Sequence, residues 1–126
     1  MRRRAEATQP ADDASPDVFL PLPHLHFHVL LALADGPLHG WEIIKRIRAI
    51  SDGRESPSTG SLYLAMNRLL ERELLEDAQA PSGADSRRRY AQLTARGRRV
   101  LAAETARLAT LVRVSEQRLA SHGTEE

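Results

Sequence analysis

Apolar residues recur with helical spacing near the middle of the chain, between residues 58 and 71. Leucines and a methionine stand at positions i, i+4, i+7 and i+8, which is typical of a helix with one face in a core. The residues of this apolar face are Leu62, Met66, Leu69 and Leu70. Pro57 cannot continue a helix, and the hydroxyl of Ser58 or Thr59 can cap one, so the pattern predicts a helix that starts here.

The opposite face of this predicted helix carries hydroxyl, amide and guanidinium groups. Such groups hydrogen bond to base edges and phosphates, and Gly60 would let the backbone approach a partner closely. The candidate DNA-binding residues of the helix are Ser58, Thr59, Gly60, Ser61, Tyr63, Asn67 and Arg68. We expect Asn67 and Arg68 to read bases, and the two hydroxyl residues Ser61 and Tyr63 to contact the backbone. An ordinary amphipathic helix with a solvated polar face would show the same pattern.

Two further helices are predicted before this one. The segment 22–34 is almost entirely apolar, and Pro23 suits the first position of a helix. Residues 35–37 form a turn signal, and apolar residues return at helical spacing over residues 40–50. A polar connector at 51–56 follows. The order helix, turn, helix, turn, helix is that of a helix-turn-helix domain.

Two extended segments follow, at residues 74–79 and 87–93, and the turn-forming stretch 81–86 separates them. They predict a β-hairpin, which after a DNA-reading helix forms a wing beside the phosphates or in the minor groove. The candidate DNA-binding residues of the wing are Arg87, Arg88 and Arg89. On a strand, Arg87 and Arg89 would share one outward face. Arginines also protect an edge strand from aggregation, which is the alternative explanation.

A long last helix is predicted from Thr94, a good N-cap residue, to about residue 120. It is longer than a small domain needs, and the rest of the chain is too small to cover its apolar stripe. The residues of this stripe are Leu101, Leu108, Leu111, Val112 and Leu119. We therefore expect the stripe to meet its counterpart in a second copy of the chain, which gives a homodimer.

The predicted fold class is mainly α with a small β-hairpin, a winged helix-turn-helix plus a long C-terminal dimerisation helix. A disordered N-terminal arm is expected at 1–21, the DNA-binding domain at 22–93, the dimerisation helix at 94–120 and a disordered tail at 121–126. The start of the arm is poor in apolar residues, and Arg2-Arg3-Arg4 is a candidate phosphate contact.

Composition narrows the class of protein. The 126 residues suffice for one domain, and the lack of cysteine excludes disulfides and thiolate chemistry. No apolar run approaches the roughly 18 to 20 residues that span a bilayer, so we expect a soluble cytoplasmic protein. The formal net charge is only +1, but all except Lys45 of the 18 basic residues are arginine, and no acid occurs from Arg87 to Arg99.

Few residues are candidates for catalysis or metal binding. The sequence has no glycine-rich phosphate loop, no cysteine nucleophile and no carboxylate pair tied to a histidine at motif spacing, so an enzyme is not expected. His24 and His28 have the i, i+4 spacing of metal ligands, but no glutamate or third ligand accompanies them. We expect a polar patch near the start of the first helix, with no metal and no cofactor.

Four motifs, in their order and spacing, resemble the PadR family of winged helix-turn-helix transcriptional regulators over about residues 27–119. Residues 29–43 resemble the first helix and the HGYEI motif of the family, and Gly60-Ser61-Leu62-Tyr63 resembles its GSLY motif. Leu74-Leu75 resembles the strand opening, and the segment 88–97 resembles the RRYYRLTxxG ending of the wing. Four positions depart from the family pattern: Trp41 replaces a tyrosine, Leu64 a proline, Glu73 a glycine and Ala91 an aromatic residue.

The resemblance implies a homodimer that represses transcription by binding a roughly palindromic operator in double-stranded DNA. It also implies release by a small hydrophobic or aromatic effector. The single C-terminal helix suggests the shorter branch of the family, in which an effector pocket would lie at the dimer interface. A winged-helix module that binds protein instead of DNA would have the same fold, and a positive surface along Tyr63, Asn67, Arg68 and the wing would distinguish the two.

Overall fold

The computed structural model describes residues 15–85 and 87–123. In this part of the chain a 3-10 helix, Pro16–Phe19, precedes four α-helices. The helices are α1 (His24–Ala32), α2 (Gly40–Ile50), α3 (Thr59–Glu71) and α4 (Ala95–His122). The strands are β1 (Leu38–His39), β2 (Leu75–Ala78) and β3 (Tyr90–Leu93), and they form an antiparallel sheet in the order β1-β3-β2. The predicted fold class, a helical winged domain with a long last helix, is confirmed.

The core lies between α1, α2, α3 and the first turns of α4. On α2 the isoleucines at helical spacing, Ile43, Ile44 and Ile47, are buried, and the exposed polar side chains lie opposite them. On α3 the predicted apolar face is buried through Leu62, Met66 and Leu69, and Ala65 joins it. Val29, Leu30 and Leu33 fill the space between them from α1 and the turn after it.

Strand β1 was not predicted from the sequence. Its two residues lie between the predicted turn at 35–37 and the predicted helix at 40–50, and they pair with β3 as Leu38 with Ala91 and His39 with Tyr90. A strand of two residues has no alternation to reveal it, so only the neighbouring strand defines it. Helix α1 also differs slightly, because Pro23 is the residue before the helix rather than its first residue, and the helix ends at Ala32.

The end of α3 is a Schellman motif. The backbone N–H of Leu74 donates to the Leu69 carbonyl at 2.9 Å, and that of Glu73 donates to Leu70 at 3.0 Å. This arrangement needs a left-handed residue after the helix, and Glu73 adopts φ 61° there. Glycine usually occupies this left-handed position. Here Glu73 adopts the same conformation, at a cost in backbone energy.

Residues 15–21 correct the prediction for the N-terminal arm. We expected disorder over residues 1–21, but the 3-10 helix and Leu20 pack against the core, and Leu22 is buried. The backbone N–H of Leu22 donates to the buried carboxylate of Glu104 on α4 at 3.0 Å. Phe19 and Leu20 are apolar, which allows this segment to pack against the core. Arg2, Arg3 and Arg4 lie outside the described residues.

Helix α4 has two unlike halves. Thr94 caps its start as predicted, since the threonine side chain accepts a hydrogen bond from Gly97 N–H at 2.9 Å. The first turns pack on the domain through Val100 and Leu101. Leu101 was expected in the dimer stripe, but its own protomer buries it, because the stripe crosses the domain surface there. The residues of the far half are mostly exposed.

The strain at the end of α3 predicts a stabilising substitution. Glu73→Gly should raise the free energy of unfolding by about 1 kcal/mol, because glycine reaches the left-handed region without a side-chain clash. The matched control is Asp52→Gly, since Asp52 also has positive φ, 55°, but aspartate tolerates that region well. Urea denaturation of both variants checks the difference. A Glu73→Gly variant no more stable than Asp52→Gly would contradict it.

Glu104 predicts a pH dependence of stability. Hydrogen bonds from Arg107 hold the pKa of Glu104 below its ordinary value of 4.5; burial opposes this, and the Leu22 N–H adds to it. The ionised form therefore contributes stability above about pH 4.5, and this contribution is lost as the pH falls through the lower folded pKa. Glu104→Gln should cost about 2 kcal/mol at pH 7 and much less near pH 3. Urea midpoints at the two pH values check this, and an equal loss at both would contradict it.

Candidate nucleic-acid interface

The start of α3 is capped by its own serines. The Ser58 hydroxyl accepts from the Ser61 N–H at 3.1 Å and donates to the Ser61 hydroxyl at 3.0 Å. Thr59 and Gly60 lie in the first turn, where backbone N–H groups have no partner inside a helix, and both residues are exposed. The helix therefore presents free amides at its positive end, a local environment that favours an anion.

The exposed face of α3 has a centre and two edges. Helical spacing places Gly60, Leu64, Asn67 and Glu71 in one row, and all four are exposed. Tyr63 lies on the edge toward the hairpin, and Arg68 lies on the opposite edge. Leu64, with 63% of its surface exposed, was not among the predicted site residues. The signal that could have found it is an apolar residue off the helix stripe, in the middle of the polar face.

Tyr63 joins α3 to the start of α2. Its hydroxyl packs against Gly40, where an added Cβ would overlap the hydroxyl oxygen, so a larger residue at position 40 requires the ring to move. Beside this contact is an open cavity of about 290 Å³. Its lining includes the predicted residues Thr59, Tyr63, Arg88 and Arg89, together with Trp41. The structure thus brings α3 and the hairpin arginines to one surface.

A second cleft extends this surface toward the end of α3. Tyr63 and Asn67 line it from the helix, and Arg89 and Tyr90 line it from the hairpin. No hydrogen bond joins the Asn67 amide to another residue in the described part of the chain. Asn67 and Arg89 therefore lie on the same side of the domain, with the amide available to a partner.

The three hairpin arginines are not on a strand, which corrects the prediction for this segment. Strand β3 begins at Tyr90, and Arg87, Arg88 and Arg89 lie in the connection before it. The Asp85 carboxylate accepts from the Arg87 backbone N–H at 2.9 Å, a short-range turn that competes with strand pairing. The alternation that would place Arg87 and Arg89 on one face does not apply here. All three side chains are exposed.

Each hairpin arginine has a carboxylate neighbour. Asp85 accepts from the Arg87 side chain at 3.1 Å and lies 3.8 Å from Arg88, and Asp77 lies 3.3 Å from Arg89. Hydrogen bonds from Arg87 lower the pKa of Asp85, so this carboxylate stays ionised at neutral pH. Because these pairs are exposed, they hold the arginines weakly. A phosphate that approaches the hairpin competes with Asp77 and Asp85 for the same guanidinium groups.

Arg68 lies on the α1 side of α3. The pKa of His26, on α1, is lowered first by burial and then by the positive charges of Arg72 and Arg68. These two arginines therefore lie near His26. Arg68 and the hairpin arginines therefore flank α3 on opposite sides. Among the predicted residues, Thr59, Tyr63 and Asn67 cluster with the hairpin, and Arg68 does not.

Trp41 was also missed by the sequence prediction. The side chain is 52% exposed, and the Arg48 guanidinium lies 5.8 Å from the centre of its ring. The Arg48 Nε donates to the Ser56 hydroxyl at 2.8 Å, so α2 is tied to the connector before α3. Trp41 is the second residue of α2, two positions after the N-cap residue His39. An aromatic residue at this position is the sequence signal, since the side chain there faces solvent.

The histidines of α1 form a polar patch. The His28 Nδ1 is 3.0 Å from the His24 carbonyl, and the His24 Nε2 is 3.1 Å from the Glu55 carboxylate. In residues 15–85 and 87–123 no group of three or more His, Cys, Asp or Glu side chains is placed to hold a metal ion. In the same ranges no helix has the length and apolarity to cross a membrane.

The sequence profile described as "Transcriptional regulator PadR-like family" matches residues 29–103. The chain belongs to this family. Its members are transcriptional regulators. The matched residues include all of α2 and α3, the hairpin and the buried turns of α4, which are the elements that build the surface described above.

The chain is also similar to individual proteins. An uncharacterized 37.1 kDa protein in transposon TN4556 of Streptomyces fradiae is 42% identical over 83 residues, which cover 66% of this chain and 22% of that protein. The present chain thus spans about a fifth of that relative. A PadR family transcription regulator from Clostridium difficile has a TM-score of 0.66 and 23% identity, covering 77% of this chain and 99% of that chain.

The same fold occurs in a structure with DNA. Bacillus subtilis PadR in complex with operator DNA is similar with a TM-score of 0.53 and 19% identity, over 63% of this chain and 45% of that chain. At these identities the two solved structures establish the shared fold of the winged domain.

The contact between Tyr63 and Gly40 predicts that substitutions at the two positions have coupled effects on the free energy of unfolding. Gly40→Ala should cost about 1 kcal/mol of unfolding free energy when Tyr63 is present, because the ring must move. In a Tyr63→Ala background the same change should stabilise by about 0.5 to 1 kcal/mol, since alanine suits a helix better than glycine. A double-mutant cycle by urea denaturation measures the coupling. Additive effects would show that the ring does not depend on Gly40.

Proposed function

We propose that the protein is a sequence-specific DNA-binding repressor that acts as a homodimer on a roughly palindromic operator. The observation that carries this proposal is the shared surface of α3 and the hairpin, where Tyr63 and Asn67 stand beside Arg88 and Arg89. An α-helix with an exposed polar face fits the major groove, and cationic side chains beside it fit the flanking phosphates.

The parts of the surface have different roles in this proposal. The free amides of Thr59 and Gly60 and the Tyr63 hydroxyl bind the phosphate backbone, and the Asn67 amide reads a base edge. Arg68 takes a phosphate on the α1 side together with Arg72, rather than a base, because it lies at the edge of the exposed face. Phosphates are therefore held on both sides of α3, with base contacts between them.

The far half of α4 supports the dimer. Val112 is 54% exposed, and Leu111, Val114 and Leu119 are exposed as well, on a helix that extends beyond the domain. Leu108 is half-buried where the helix leaves the core. A second copy that packs along this stripe removes the apolar surface from water and relates two α3 helices by a two-fold axis. Two-fold symmetry in the protein requires a matching palindrome in the operator.

A small hydrophobic or aromatic effector belongs to the same proposal. An open groove of about 480 Å³ runs between the 3-10 helix and α4, lined by Leu20, Ala103, Ala106 and Thr110, with Asp17 and Arg107 at its polar positions. A partner helix along α4 would cover part of this groove and enclose a pocket. A ligand bound there could change the angle between the two α4 helices and so the spacing of the DNA-reading helices.

DNA binding is tested with the duplex upstream of the protein's own gene, by fluorescence anisotropy over a salt series. The double variant Arg88→Gln/Arg89→Gln should lower the slope of log affinity against log salt by up to about 3.6, since a dimer loses four charges at about 0.9 each. Asp85→Asn should raise affinity, because it removes a competing carboxylate. Arg113→Gln, on α4, is the control with an unchanged slope.

Three outcomes would contradict this account. An affinity loss without a change in slope would mean that the arginines only hold the hairpin together. Equal affinity for the upstream duplex and random DNA would mean that the protein is not a sequence-specific regulator of its own gene, and binding to neither duplex would favour the protein-binding module.

The dimer is tested by charge substitution on α4. Val112→Asp should give folded monomers, because it places a carboxylate in the interface, whereas Leu101→Asp should unfold the chain, because Leu101 is in the core of the protomer. Gln117→Asp, on the opposite side of α4, should leave the dimer intact. Sedimentation at micromolar concentration with circular dichroism distinguishes the three results. Wild-type protein that sediments as a monomer would contradict the proposal.

A further inference from the structure

Leu64 is an exposed apolar side chain at the centre of the outward face of α3. Its neighbours Leu62 and Ala65 are buried, whereas 63% of Leu64 is exposed, so it adds nothing to the core. Gly60 precedes it by one turn, and the space where a Gly60 side chain would stand is empty. A partner can therefore reach Leu64 from the start of the helix without obstruction.

The surroundings of Leu64 are polar and basic. Thr59, Tyr63 and Asn67 lie on the same exposed face, and Arg89 lies on the hairpin beside it. A protein partner that recognises an apolar residue would need a broader apolar patch, and the nearby Trp41 ring has the Arg48 guanidinium over it. A single apolar contact within a polar, cationic surface matches the major groove of DNA, where the thymine methyl is the apolar group.

We propose that Leu64 is a specificity-determining residue that contacts the 5-methyl group of a thymine in the major groove. The inference rests on the proposed DNA-binding function and adds the base that the centre of α3 selects. Leu64 thereby excludes cytosine at that position, since cytosine has no methyl and presents an amino group that an apolar side chain cannot satisfy.

In the same proposal, Asn67 contacts a second base pair. Residues three apart on a helix are about 5 to 6 Å from one Cβ to the other, and successive base pairs are about 3.4 Å apart. An asparagine amide pairs with the N6 and N7 of adenine. We therefore expect each half-site to contain a thymine read by Leu64 and an adenine read by Asn67, one or two base-pair steps apart.

The test begins with the whole protein and a pool of random-sequence duplexes. Repeated selection of bound duplexes gives the preferred site, and that site is then made with deoxyuridine in place of thymidine, one position at a time. Uracil keeps the hydrogen-bonding pattern of thymine and lacks only the methyl. The wild type should lose about fourfold in affinity at the thymine that Leu64 contacts, the value of one buried methyl.

Variants assign that loss to Leu64. Leu64→Ala should bind the thymine and uracil duplexes equally and should bind the thymine duplex about five- to tenfold more weakly than wild type. Leu64→Met, of similar volume, should keep the sensitivity to the methyl. The control is Val18→Ala, because Val18 is also an exposed apolar residue but lies on the 3-10 helix, and it should behave as wild type.

The outcomes separate the two proposals. In one outcome, selection enriches a site while wild type binds the thymine and uracil duplexes equally at every position. In another, Leu64→Ala keeps the wild-type ratio of thymine to uracil affinities. Either result would show that Leu64 does not contact a thymine methyl, while sequence-specific DNA binding would stand. If selection enriches no site, the proposed function fails and the inference fails with it.

Discussion

The arrangement of the molecule depends on one short junction, Arg72 to Leu74, where α3 ends and the hairpin begins. The Thr94 hydroxyl donates to the Glu73 carbonyl at 2.7 Å, and the Arg96 side chain donates to the Arg72 carbonyl at 2.7 Å. A Cβ on Gly97 would overlap the Leu74 carbonyl, so α4 can approach the junction only through a glycine. The carbonyls left free at the end of α3 are thus satisfied by the start of α4.

This junction fixes the direction of three elements at once. The hairpin leaves the junction as β2 and returns as β3, directly before the Thr94 cap of α4. Because the same few residues end α3 and hold α4, the outward face of α3 keeps a constant relation to strands β2 and β3. A surface that must fit a rigid duplex benefits from such preorganisation, since less ordering is needed on binding.

Charge on this surface is balanced rather than simply positive. The hairpin arginines already have carboxylate neighbours in Asp77 and Asp85, and Glu71 ends the exposed row of α3. Non-specific attraction to phosphate is therefore moderate, in keeping with a formal net charge of +1. Under the proposed function, more of the discrimination between DNA sequences comes from the shape and chemistry of the α3 face, including Leu64 and Asn67.

The sequence by itself determined the elements whose patterns are local. Periodic apolar residues, the Ser58 and Thr94 caps, and a polar turn between two short segments sufficed to predict α2, α3, α4 and the hairpin, because helix and hairpin signals lie within a few residues of each other. The outward side chains of α3 followed from the same periodicity. The family resemblance added the assignment that these elements build a transcriptional regulator.

Tertiary structure decided whatever depends on residues far apart in the chain. The pairing of β1 with β3 and the hydrogen bond from Leu22 to Glu104 each need a partner more than 40 residues away, which no local pattern reveals. The burial of Leu101 likewise follows from the packing of the elements into one core. The same holds for the site. Only the packed domain shows that Arg68 lies on the α1 side while Arg89 and Asn67 line one cleft, because helical periodicity gives the face of a residue but not what packs beside it.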